Sequence, residues 1–270
     1  MLPSYSEGAA YDTCRRRYYY AHILKLAPKS FSPGLSTGIA GHELLEEAHK
    51  AIIGGANPKA AVLKKYSSDI SNYSSSIDLV LGYLDYYEEH LELHEIITVE
   101  HVFQTDTGFP FKVDLIERNK KTKEVTLVDW KFLYNRYADK YIPILGQLQL
   151  YTAALESLGY KVNRALYRVI STRKNSKTPY TEIPVPFEKI SQHRTTIEHE
   201  DLAEEIANFK ALDPIEQDRK ARRNPSALTC NHCPFTDICA TDLYKRPGRE
   251  LLLKTFYKEN TYGYEYLEES

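Results

Sequence analysis

FKVDLIERNKKTKEVTLVDWKF, residues 111–132, decides how this chain is read. FKVDLIER (111–118) and VTLVDWKF (125–132) read as strands, and the polar run Asn119–Lys123 supplies the turn between them. VEHVFQTD (99–106) precedes them, separated by Gly108-Phe109-Pro110, so three strands are expected as an antiparallel meander. Residues two apart on a strand share a face, so Asp129 and Lys131 project together while Trp130 turns away. Asp114, on the neighbouring strand, can project beside them. Two close carboxylates repel, and a divalent cation relieves that repulsion; hard oxygen ligands suit Mg²⁺ or Mn²⁺. A lysine at such a cation can orient a water or stabilise charge on a phosphate. Taken alone, D-x-K is a common spacing and also reads as a surface ion pair.

Outward from this hairpin the periodicity changes. GIAGHELLEEAHKAII (38–53) has a helical pattern and carries His42 near its start. Residues 5–25 read as helix or turn–helix, 26–37 as loop, and 58–95 as helix interrupted at 67–76. ILGQLQLYTAALESL (144–158) reads as a helix closed by Gly159, with Gln147 and Tyr151 one turn apart on one face. Strands are expected at 164–171 and 180–186, charged helix over 187–223, and a loosely held polar tail from about 256.

The chain has 270 residues, 42% hydrophobic and 27% charged, which suits a globular protein and excludes disordered, collagen-like and coiled-coil classes. No run approaches the roughly 18 apolar residues of a membrane span, and MLPSYSEGAAYDTCRRR has no apolar signal region. A soluble, cytoplasmic protein with no membrane partner is expected. The net charge of −2 is unevenly spread. Lys161, Arg164, Arg168, Arg173, Lys174 and Lys177 form an acid-free stretch; RKARR (219–223) is basic, and the last residues are acidic. Such segregation can leave a basic groove on a near-neutral protein, or be ordinary solvated charge. Many of the 22 tyrosines belong to the core, though tyrosines also stack on unpaired bases.

Cysteine occurs four times, at Cys14 and in CNHCPFTDIC, which holds Cys230, Cys233 and Cys239 as C-x2-C-x5-C. In a cytosolic protein this clustering points to a metal rather than to disulfides. With Cys14 it makes a four-thiolate set, suited to Zn²⁺ or an iron–sulfur cluster. One remote cysteine joining a triplet is unlike the paired C-x2-C of zinc sites, which favours iron–sulfur. His232 is the alternative ligand and is expected to be a bystander.

The order His42, Asp114, Asp129-x-Lys131, Gln147-x3-Tyr151, bracketed by Cys14 and the triplet, resembles the iron–sulfur branch of the RecB-type PD-(D/E)XK nucleases. That branch includes CRISPR-associated RecB-like exonucleases, the AddB nuclease domain and phage relatives. The resemblance implies a restriction-endonuclease-like α/β fold, a central mixed sheet flanked by helices, with N-terminal helices and a C-terminal cysteine cluster closing the domain. It implies one nuclease domain over 1–255 with a helical insertion at about 54–95, then an acidic tail, 256–270. His42, Asp114, Asp129 and the backbone carbonyl of Trp130 would ligate Mg²⁺ or Mn²⁺. Lys131 would position the attacking water, and Gln147 and Tyr151 would contact DNA or orient Lys131. Cys14, Cys230, Cys233 and Cys239 would hold a 4Fe–4S cluster. Arg15, Arg16, Arg17, Arg173 and Lys174 are the expected DNA contacts. The implied activity is a metal-dependent DNA exonuclease on single strands or DNA ends, 5′→3′ favoured and endonuclease action open. Recombination, helicase or CRISPR-adaptation proteins are the implied partners. The rival is a catalytically silent subunit that binds DNA ends or scaffolds such a complex. Two features stand apart: Phe111 occupies a position where the family commonly has glycine, and Glu100 matches a recurrent glutamate whose role is unsettled.

Overall fold

A computed structural model describes residues 2–134, 144–186 and 188–260. In chain order the N-terminal elements are α1 (Tyr5–Thr13), α2 (Arg15–Tyr18), a π-helical turn at Tyr19–Ile23, β1 (Leu26–Pro28) and α3 (Pro33–Ile53). Then come α4 (Pro58–Ser68), α5 (Ile70–Tyr73), α6 (Ile77–Tyr86) and α7 (Glu88–Leu93). The strands β2 (His94–Gln104), β3 (Pro110–Asn119) and β4 (Val125–Leu133) follow, then α8 (Gln147–Ser157), β5 (Arg164–Ser171) and β6 (Tyr180–Pro184). The chain continues with α9 (Lys189–Lys210), α10 (Pro214–Lys220), α11 (Ala227–Asn231), α12 (Thr236–Leu243), α13 (Arg249–Phe256) and β7 (Tyr257–Glu259). Two compact units result, one from Met1–Phe31 with Ile197–Ser270, the other from Ser32–Thr196. No described helix is long and apolar enough to cross a membrane.

The Ser32–Thr196 unit carries a five-stranded sheet ordered β2-β3-β4-β5-β6. The expected α/β architecture, a central mixed sheet flanked by helices, is what the chain forms. The meander β2-β3-β4 is antiparallel, β5 runs parallel to β4, and β6 is antiparallel to β5. A parallel neighbour needs a crossover, and α8 provides it. One face of the sheet carries Leu115, Val128, Trp130, Leu166 and Ile170, in one core with Ala40, Leu44, Leu45 and Ala48 of α3 and Val80, Tyr83 and Leu84 of α6. Each fully buried leucine there contributes roughly 1.5–3 kcal/mol. The opposite face lies towards α8. Strand β4 is buried over most of its length, as a central strand covered on both faces must be.

Local differences from the expected elements have local causes. Helix α3 starts five residues early because Ser32 caps it, accepting the Leu35 N–H, and Pro33 suits the first turn. Strand β2 starts at His94 rather than 99; a register shift between Ile96 and Thr98 breaks the alternation there. Helix α8 begins at Gln147, after Gly146 at φ 69°.

The other unit gathers Tyr11, Tyr18, Tyr19, Tyr20, Ile206, Phe209, Phe235, Ile238 and Tyr257 into an aromatic-rich core. Its two-stranded sheet pairs β1 with β7, Leu26 opposite Glu259 and Pro28 opposite Tyr257. This corrects the expected loop at 26–37 and the loose tail from 256: Tyr257 is buried and donates its hydroxyl to the Pro234 carbonyl. The acidic residues of 261–270 lie outside the described residues.

Candidate active site

The site forms where the sheet forks. The β3–β4 ladder ends at the pair Leu115–Val128. One register step further stand Asp114 and Asp129. From there β3 stays with β2, through His101–Val113 to Gln104–Pro110, while β4 stays with β5, through Trp130–Arg168 to Leu133–Ser171. The fork frees the backbone of Trp130 on its β3 side. Its N–H donates to Asp114 Oδ2 at 2.7 Å, and its carbonyl lies 3.1 Å from His42 Nε2. Its indole, on the reverse face, is fully buried and anchors that backbone.

The fork brings His42 to Asp114, and Asp129 to Lys131. Helix α3 brings His42 in close to the sheet because Gly41 lies against the Phe132 ring, where a Cβ would overlap it. His42 Nδ1 is 2.8 Å from Glu100 Oε1 and 3.7 Å from Asp114 Oδ2. Asp129 is buried at 4% exposure, and its Oδ2 lies 2.6 Å from Lys131 Nζ without a well-directed hydrogen bond. Lys131 is also 3.4 Å from Gln147 Oε1 and stands 5.4 Å over the Tyr167 ring. Gln147 is thus placed to orient Lys131. Tyr151 is buried, its ring 5.3 Å from Phe111. Phe111 stacks on Phe103 and Phe109, so the side chain that replaces the family's glycine is absorbed by an aromatic cluster.

The electrostatics mark a site where three largely buried carboxyls crowd against three cationic side chains, His42, Lys112 and Lys131. Burial and the neighbouring Asp129 push Asp114 up to about 7, against the pull of His42. Burial alone would lower His42, yet Asp114 and the bond to Glu100 hold it up at about 9. Burial would raise Glu100, but His42 and Lys112 hold it below the usual carboxylate range. Ligand atoms of His42, Glu100 and Asp114 lie within 4.8 Å of one another, close enough to serve one ion. Carboxylates and a freed carbonyl are the donors a hard divalent cation takes, an imidazole is one that transition-metal ions take, and the poorly satisfied Asp129 oxygen adds to the set. Glu100 is the member whose role the sequence left open. A glutamate alternating with apolar residues reads as a solvent-facing position, and no residue spacing brings it to His42.

A second cluster, His90, His94 and Glu117, has metal-like donors but holds a cation of its own. The guanidinium of Arg168, 1% exposed, donates to both oxygens of Glu117 at 2.6 and 3.1 Å and to Glu182 at 2.9 Å. It also lies 2.7 Å from His90 Nε2. A metal ion there would meet a fixed positive charge. Arg168 is therefore no part of a basic groove, which corrects that part of the 161–177 stretch. Arg173 and Lys174 are exposed beyond β5.

In the other unit, Cys14, Cys230, Cys233 and Cys239 are all free thiols and line one cavity of about 210 Å³. Cys14 sits at the break between α1 and α2, Cys230 in α11 and Cys239 in α12. Burial pushes the Cys233 thiol up. Arg223 Nε donates to Cys239 Sγ at 3.3 Å, and Arg17 also lines the cavity. Arg15 pairs with Glu205 at 2.7 Å. Arg16 is buried, bound to Asp218 and the Ala221 carbonyl, so its guanidinium ties the unit together instead of facing DNA.

The sequence profile of the PD-(D/E)XK nuclease superfamily matches residues 3–240. Among solved structures, "Crystal structure of SSO0001" is similar at 15% identity, covering 88% of this chain and 84% of that one with a TM-score of 0.36. No curated protein matches the chain.

Proposed function

Because the chain belongs to the PD-(D/E)XK nuclease superfamily, we propose that it is a divalent-metal-dependent deoxyribonuclease that trims single-stranded DNA or DNA ends, 5′→3′ in preference. The observation that carries the nuclease reading is the fork itself: His42 and Asp114 lie against the freed backbone of Trp130, and the Asp129–Lys131 pair stands one register step from Leu115–Val128 on the neighbouring strand. Mg²⁺ or Mn²⁺, held by His42, Asp114, Asp129 and the Trp130 carbonyl, would polarise the phosphodiester and lower the pKa of an attacking water. Lys131 orients that water and stabilises the negative charge that builds on the phosphoryl oxygens. Gln147, from α8, fixes where the lysine head sits. The trp indole packed behind the sheet keeps the Trp130 carbonyl and N–H in place. In the reaction a water oxygen–phosphorus bond forms, the phosphorus–oxygen ester bond breaks, the water proton passes to solvent, and the leaving sugar oxygen takes a proton from solvent to become a hydroxyl.

The cysteines support a second element of the reading, a 4Fe–4S cluster in the other unit. Four free thiols, drawn from both ends of the sequence, line one cavity, a set that suits either a cluster or zinc. Iron would show as brown colour and broad absorbance near roughly 400 nm; zinc is colourless. Exposed Arg173 and Lys174 are proposed DNA contacts, with the exposed side of the Arg15–Arg17 run.

The test is digestion of single-stranded DNA labelled at either end, with Mg²⁺, with Mn²⁺ and with neither, for wild type and Lys131→Ala. Metal-dependent digestion lost in the variant supports the reading, and the two ladders give polarity. Salt-sensitive binding without turnover in both metals would replace it with the silent binding subunit.

A further inference from the structure

Glu100 breaks the local rules of its strand. Its φ is +46°, a left-handed conformation in the middle of β2 that costs a non-glycine residue on the order of 1–3 kcal/mol. Its side chain is only 5% exposed. The register Val99–Leu115 and His101–Val113 sets it opposite Asp114, where like charges disfavour each other. Both carboxylate oxygens are engaged: Oε1 lies 2.8 Å from His42 Nδ1, and Oε2 lies 2.7 Å from Lys112 Nζ. Lys112 stands opposite Val102, so it reaches Glu100 along the diagonal of the ladder.

Resting on the metal-nuclease reading, we infer that Glu100 is a positioning residue that, braced by Lys112, holds His42 with Nδ1–H bonded to carboxylate and Nε2 presented to the cation. Nδ1 is taken up by Glu100 at 2.8 Å, nearer than Asp114 at 3.7 Å, which leaves Nε2, beside the Trp130 carbonyl, as the nitrogen for a cation. A histidine that gives its second nitrogen to a carboxylate is fixed in tautomer and ring orientation and is a more basic ligand. With both oxygens committed, Glu100 acts through His42 and not as a ligand itself. The strained backbone is what carries the carboxylate to that spot.

Mn²⁺ binding by the full-length protein, followed by loss of the free-ion EPR signal, tests this without relying on cleavage. Glu100→Gly tolerates φ +46°, and Glu100→Gln retains an acceptor for Nδ1–H. The expected outcome is about 10- to 100-fold weaker Mn²⁺ binding in Glu100→Gly. Glu100→Gln loses less. In a His42→Ala background, Glu100→Gly costs almost nothing further, because the two act as one unit. An undiminished loss in that background would make Glu100 a direct contributor and overturn the inference. Unchanged binding in Glu100→Gly would overturn it too. If Glu100→Gly fails to fold by circular dichroism, Glu100→Gln in both backgrounds carries the same cycle. Wild type that binds no Mn²⁺ would instead bring down the metal-nuclease reading beneath it.

Discussion

On one face of the central sheet Glu117 meets Arg168; on the other, Asp114 meets Asp129. Both faces bury charge within the same five strands. Behind the sheet the charge is closed: Arg168 engages Glu117, Glu182 and the Tyr83 hydroxyl, which in turn accepts the Trp130 indole N–H. Glu117 is held down at about 2, with Arg168 and His90 overcoming the effect of burial. At the fork the charge stays open: burial and Asp129 raise Asp114 to about 7, and Asp129 keeps a poorly satisfied oxygen. A closed network has no need of a ligand, whereas an open one keeps carboxyl groups that a cation can engage. The difference separates a structural cluster from a functional one where a list of metal-like donors would equate them.

The largest effect comes from opening the closed face. Arg168→Met leaves Glu117 buried without its partner and should cost about 3–5 kcal/mol in urea unfolding. Adding Glu117→Met should restore much of that, since the uncompensated charge is gone. A single-variant cost below about 1 kcal/mol would show that the network is not closed as described. At the fork the opposite sign is expected. Asp114→Asn keeps an acceptor for the Trp130 N–H and removes the repulsion with Asp129. It should raise metal-free stability by about 0.5–2 kcal/mol while lowering metal-dependent cleavage by about 10²–10³-fold. A variant that loses both stability and cleavage would make the fork another structural cluster.

A smaller effect tests how the two faces are joined. Gly41 lets α3, which packs on the reverse face, deliver His42 to the fork. Gly41→Ala drives a methyl into Phe132 and should cost about 1–3 kcal/mol. Because His42 is the next residue, cation binding should weaken alongside. Full cation affinity in a destabilised Gly41→Ala protein would show that α3 does not set the position of His42.

What the sequence made legible follows from the range of each cause. Strands β3 and β4 and the shared face of Asp129 and Lys131 are local, written in alternation over a few residues. His42 and the cysteines were found by order and spacing. The fork was not legible, because it depends on which neighbour each strand keeps beyond Leu115 and Val128. Arg16 and Arg168 read as surface charge because arginines usually are; their burial depends on Asp218 and Glu117, remote in sequence. Strands β1 and β7 are three residues each and pair from opposite ends of the chain, with too little pattern to announce themselves.

The smallest effect uses pH to read the open face directly. His42 is held up at about 9 and Asp114 at about 7, so both keep a proton in the folded, metal-free protein that the unfolded chain releases earlier. A group raised on folding contributes stability below its unfolded value and loses it as pH rises through the folded one. For Asp114 that window runs from about 4 to 7, and for His42 from about 6.5 to 9. On the closed face Glu117, held near 2, stays ionised throughout, and His49, lowered to about 4 by burial, acts only below the interval from pH 7 to 9. With EDTA present, stability should therefore fall between pH 7 and 9, by about 1–2 kcal/mol once solvent screening of the part-exposed imidazole is allowed for. A bound cation takes the place of those protons, so the stabilisation by Mn²⁺ should grow over the same interval. Melting temperatures at pH 7, 8 and 9, with EDTA and with Mn²⁺, check both slopes. In His42→Ala combined with Asp114→Asn the EDTA slope should flatten, because both groups responsible are gone; in His42→Ala alone Asp114, freed from the pull of the imidazole, still titrates. A slope that survives in the double variant would place the titrating group elsewhere and remove the electrostatic contrast between the two faces.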